Sequence, residues 1–99
     1  MSNFIEYKNR MAFHPGYYIQ EFVEESGLTQ KDFANRLGTT PKNLSVLISG
    51  EQSLSIDIVV KLAAMLGTSE EYWFNLQTAW NEMMAEIHYD KQLELEKEV

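Results

Sequence analysis

From Tyr18 onward the apolar residues recur at three- and four-residue steps, the period of a helix with one buried face. Tyr18, Ile19, Phe22 and Val23 form the first stripe, which stops at Ser26-Gly27. Phe33, Ala34 and Leu37 form the second, broken by Gly38, and Leu44, Leu47 and Ile48 the third, closed by Gly50. Ile56, Val59, Val60, Ala63 and Leu66 are the expected buried stripe of a fourth helix, ended by Gly67. Trp73, Leu76, Trp80, Met83, Met84 and Ile87 mark a fifth. Before the break at His14-Pro15-Gly16, residues 2–12 alternate only loosely (Phe4, Ile5, Tyr7, Met11) and fit an arm or a short strand. The pattern predicts an all-α domain of five helices. It divides into an N-terminal arm at 1–13, a helix-turn-helix domain at 14–80 and an acidic helical extension at 81–99.

The residues between stripes are helix punctuation. His14 precedes Pro15, which suits the first turn of a helix, so His14 is the expected N-cap of the first. Thr29 caps the second, with Asp32 favouring its positive N-terminal end. Thr40 caps the third with Pro41 behind it, and Ser55 the fourth. Thr68 with Glu71 three residues on matches a capping box for the fifth. Run unbroken from Ser69 to Lys97, that last helix would span about 43 Å at 1.5 Å per residue. So long a rod outreaches a small domain, so the turns from Tyr89 are expected to fray, bend or rest on a partner.

Helices two and three have the spacing of a helix-turn-helix. Two short helices that cross steeply need a small residue at the crossing and a glycine in the turn. Ala34 and Gly38 fill those places, and Leu44 and Leu47 seal the crossing. With those leucines inward, Thr40, Lys42, Asn43 and Val46 point outward. Asn43 suits adenine, Lys42 guanine or a phosphate, and Val46 or the Thr40 methyl a thymine methyl. Gln30, at the start of helix two, is placed for a phosphate beside free backbone N–H groups. The competing reading is that these are solvated residues of a degenerate motif.

Charge alters this picture only in detail. The net charge of −7 opposes binding to phosphate, whose affinity comes largely from Lys and Arg. Residues 29–66, however, carry Lys31, Arg36, Lys42 and Lys61 against three carboxylates, while residues 67–99 hold eight carboxylates against two lysines. The acidity lies mainly outside the motif, so a dimer that turns both motifs toward a duplex remains feasible. The apolar stripe Leu76, Trp80, Met83, Met84, Ile87 continues past the expected body and is read as a dimer or partner contact, since Met suits an adaptable surface. The absence of Cys removes disulfides and thiolate metal sites and fits a cytoplasmic protein. His14 and His88 are isolated, so no metal, no cofactor and no catalytic constellation are expected. No signal peptide and no membrane span is legible.

Taken together, His14-Pro15-Gly16, Gly27-Leu28-Thr29-Gln30, Phe33-Ala34-x-Arg36-Leu37-Gly38, Ser49-Gly50, Ala63-x-x-Leu66-Gly67-Thr68-Ser69 and Tyr72-Trp73-Phe74-Asn75-Leu76-Gln77 resemble the XRE, lambda-repressor-like helix-turn-helix family. Within it they look most like HigA-type antitoxins, over about residues 13–80. The resemblance implies a homodimeric repressor bound to a palindromic double-stranded DNA operator. It also implies a cognate basic endonuclease toxin, whose mRNA cleavage the antitoxin blocks, and no enzymatic activity of its own. The rival expectations are a regulator without a toxin, and an interaction domain of a larger protein that has lost DNA binding.

Overall fold

The side chains at the helix starts show why each helix begins where it does. In the computed structural model, which describes residues 3–97, the helices are α1 (Pro15–Ser26), α2 (Gln30–Leu37), α3 (Pro41–Ser49), α4 (Ile56–Leu66) and α5 (Glu70–Lys97). Residues 1–2 and 98–99 of the expected arm and extension lie outside the described residues. The His14 ring accepts from the N–H of Gly16, the Thr29 hydroxyl from Asp32, Thr40 from Asn43 and Ser55 from Ile58. Each satisfies an N–H that the first turn of a helix leaves without a partner. At α5 the expected cap moves by one residue. Ser69 accepts from the N–H of Tyr72, while the Thr68 hydroxyl lies 2.7 Å from the indole nitrogen of Trp73 and accepts its hydrogen bond. Trp73 is fully buried, so its N–H requires that acceptor.

Ile19, Phe33, Ala34, Leu37, Leu44, Leu47, Val59, Leu62 and Trp73 make the core between the helices. The phase of α4 differs from expectation. Val59 and Leu62 are buried, whereas Ile56 is 73% exposed and Val60 47%. A segment as apolar as IDIVVKLAAML offers more than one plausible stripe, and contact with α2 and α5 selects between them.

The five helices are joined by one element outside an all-α plan. Strands β1 (Phe4–Tyr7) and β2 (Arg10–Phe13) pair antiparallel, with Phe4 opposite Phe13 and Tyr7 opposite Arg10. Lys8 and Asn9 form the turn with φ of 49° and 63°, the positive values that a two-residue hairpin favours. The hairpin lies along α5. The Tyr7 hydroxyl and the Lys8 ammonium each sit 2.9 Å from Asp90, and Arg10 pairs with Glu86. These contacts bring two cations onto the acidic helix and hold Asp90 below the usual carboxylate range, chiefly through the Lys8 hydrogen bond. Helix α5 therefore runs past Tyr89 without a break, and the molecule is 52 Å in its longest dimension.

Candidate nucleic-acid interface

The turn between α2 and α3 is fixed from three sides. Gly38 has φ of 83°, and its N–H reaches the carbonyls of Ala34 and Asn35 at 3.0 and 3.2 Å. Its own carbonyl accepts from Lys61 Nζ at 3.0 Å, and that ammonium lies 2.9 Å from Asp57 on the preceding turn of α4. Leu44 and Leu47 are buried, so the rotation of α3 about its axis is set by the core.

That rotation leaves Thr40, Lys42 and Asn43 exposed and Val46 half-buried; Gln30 is exposed at the start of α2. The Thr40 hydroxyl is engaged as the cap, so its methyl is the part left for a thymine. A groove of about 470 Å³ opens beside α3, lined among others by Thr40, Asn43, Gln52, Ser55, Asp57 and Lys61. Two of its neighbours went unnoticed in the sequence. Ser45 is exposed on α3, three residues beyond Lys42 and hence on the same face, so helical spacing could have found it. Gln52 lies in the loop after α3 and carried no such signal.

The loop after α3 is held by two residues whose role no pattern disclosed. Gln77, only 8% exposed, accepts from the Leu54 N–H at 2.8 Å and donates to Asn81 and Ser53. The buried His14 ring hydrogen-bonds the backbone of Gln52, and burial pushes its pKa below the usual value. Its Nδ1 accepts from Gly16, so the neutral ring carries its proton on Nε2.

The α5 stripe is not left open as expected. Ile87 is 4% exposed, on the stretch where the hairpin bonds Glu86 and Asp90, so it is unavailable to a partner. Trp80 is half-buried, edge-on to His14 at 5.4 Å between ring centres. Leu76 and Met83 are half-buried beside it, and all three line a groove of about 280 Å³ with Met11, Phe13 and Tyr18. Of the stripe, Met84 alone is exposed, at 38%.

A helix-turn-helix family model matches residues 19–73, the span that contains this interface. The chain belongs to that family. It is a helix-turn-helix DNA-binding regulator, and its likeness to HigA-type antitoxins of the XRE group extends to curated relatives and solved structures. It is 35% identical over 83 residues to the HTH-type transcriptional regulator YddM of Escherichia coli K12, covering 82% of this chain and 88% of that protein. It is 41% identical over 59 residues to the antitoxin HigA-1 of Vibrio cholerae, covering 60% of this chain and 55% of that protein. The structure of Pseudomonas aeruginosa antitoxin HigA with the higBA promoter superposes with a TM-score of 0.74 at 26% identity, covering 85% of this chain and 92% of that one. Among the described residues no helix is long and apolar enough to cross a membrane, and no group of His, Cys, Asp or Glu is arranged to hold a metal ion.

Proposed function

We propose that the protein represses its own operon as a homodimer on a palindromic operator, and that it is the antitoxin of a type II toxin–antitoxin module in the cytoplasm. One observation carries the DNA half of this reading. Helix α3 is capped by Thr40, seated on buried Leu44 and Leu47, and uncovered along Thr40, Lys42, Asn43 and Ser45. A helix anchored on one face with its polar face free suits insertion into a major groove. Gln30 and the open end of α2 supply a phosphate contact. The likeness to the V. cholerae antitoxin HigA-1 supports the toxin half. The toxin would be a basic mRNA endonuclease, and the exposed Glu82, Glu94 and Met84 of α5 offer it an acidic surface with an adaptable apolar point.

Titrating the chain's own promoter fragment at several salt concentrations tests the repressor. The few cations of residues 29–66 predict a shallow slope, from about two to four phosphates per subunit at roughly 0.9 each. Equal affinity for promoter and scrambled DNA refutes the reading and leaves an interaction domain. Co-expression with the adjacent gene tests the toxin half. Promoter binding with no neighbouring toxic product leaves a regulator without a toxin.

A further inference from the structure

We propose that two copies of the chain pair through the outer face of α4, antiparallel, with Val60 on the two-fold axis; this rests on the repressor reading above, which requires a second copy. Ile56, Val60 and Ala64 follow at four-residue steps along that face, and Ala63 lies beside them. Ile56 is 73% exposed and Val60 47%, although each is large and apolar. No charge interrupts the stripe.

The face is complementary to itself. Ile56 stands out at one end. At the other, the small side chains of Ala63 and Ala64 leave a shallow, open depression bordered by Val60, Thr68, Ser69 and Glu70. Ile56 and Ala64 are each four residues from Val60, about 6 Å along the axis. Reversing one helix about Val60 therefore brings the Ile56 of each copy to the depression of the other. That reciprocity, in which i meets j and j meets i, is the requirement for a closed two-fold contact.

Charge and direction agree with the pairing. Asp57 and Lys61 run along one edge of the face, with side chains 72% and 37% exposed. In the antiparallel pair, Asp57 and the Lys61 of the second copy come within about 3 Å of the same height along the helix axis, so opposite charges adjoin. The two-fold axis passes between the helices from one edge of the contact to the other, leaving both Asp57–Lys61 edges on the same side. That edge also borders the groove lined by Thr40 and Asn43. Both recognition helices thus turn toward one side, as the reading of two half-sites of one duplex demands.

Sedimentation of wild type, Val60→Glu and Val60→Lys at matched concentrations tests this, with circular dichroism to verify that each is folded. Position 60 is half exposed, so a charge there does not enter the core. Each charged variant is expected to weaken self-association by at least about 100-fold, because like charges meet on the axis. An equimolar mixture of the two should restore the dimer. A Val60→Glu protein that remains dimeric, or a mixture that stays monomeric, overturns the pairing. Val60→Cys gives a second measure in a chain that has no other Cys. Mild oxidation should link two copies covalently, whereas Ile56→Cys should not, its counterparts lying about 12 Å apart along the axis. Equal cross-linking at 56 and 60 also overturns it. A wild-type dimer that pairs this way yet does not distinguish its promoter from scrambled DNA leaves the pairing standing and removes the repressor reading.

Discussion

Gly16 and Leu47 meet backbone to backbone: a Cβ on Gly16 would lie 2.0 Å from the Leu47 carbonyl oxygen and 2.8 Å from that of Ile48. The first turn of α1 thus rests directly on the last turn of α3. The Ile48 carbonyl also accepts from Asn3 Nδ2 at 3.0 Å, just ahead of the hairpin. The end of α3 remote from its cap is thereby fixed by close contact with backbone on one side and a side-chain amide on another.

Gly16→Ala should therefore separate α1 from α3. Neither carbonyl can move without shifting a helix, and overpacking of this kind costs about 1–3 kcal/mol. In a domain of this size the melting temperature should fall by about 4–8 °C for each kcal/mol. Promoter affinity should fall as well, because α3 is the element displaced. Thermal melting followed by DNA titration checks both. A variant that melts with the wild type shows that the two turns have room to spare.

The same contact illustrates what the sequence could disclose. The caps at His14, Thr29, Thr40 and Ser55 and the crossing of Ala34 with Leu44 and Leu47 are legible because each follows from chemistry within a few residues. Gly16 was visible only as part of a boundary, since its partner lies some thirty residues away. The phase of α4 is ambiguous because nearly every residue of that helix is apolar, and contact with α2 and α5 settles it only in three dimensions. Residues 2–12 read as an arm or a short strand, and the pairing of two strands there is not legible because the turn, Lys8-Asn9, lacks the glycine that usually marks one. Once formed, the hairpin packs along α5, where Ile87, on a stripe that local spacing leaves open, is buried.

His14 should make stability depend on pH. Its folded pKa is depressed, principally by burial, relative to the usual value near 6.5. The unfolded chain therefore takes up a proton first, and acid favours unfolding. The contribution of the neutral ring is fully present above about pH 6.5 and is lost as pH falls from there through the depressed native value. His14→Asn keeps a capping oxygen without a titrating group. Between pH 7.5 and pH 5 the wild type should lose more stability than this variant in denaturant titrations. Parallel pH profiles would assign the loss to other groups.

Asn43→Ala should weaken promoter binding by about 1–3 kcal/mol, the usual worth of one bidentate base contact. The side chain is exposed, and the Thr40 cap bonds only its backbone N–H, so the fold should be unaffected. Affinity for promoter DNA should fall while affinity for scrambled DNA is unchanged. An earlier melt would make Asn43 structural, and unchanged promoter affinity would leave it outside the base contacts.

Trp80→Ala separates a role inside the chain from a role between copies. The indole packs edge-on against His14 and fills the side of the groove shared by α5, Phe13 and Tyr18. Truncating a fully buried aromatic residue costs about 3–5 kcal/mol, so a half-buried one should cost about 2–3 kcal/mol. His14 would lose one wall of its pocket, its ring would be better hydrated, and the pH dependence described above should flatten. The dimer should survive, because Val60 and Ile56 lie on a different helix and face another direction. Chemical denaturation and sedimentation of the same variant give both answers. If stability is unchanged while the dimer dissociates, α5 rather than α4 carries the two-fold contact, and the burial of Trp80 within one chain contributes little.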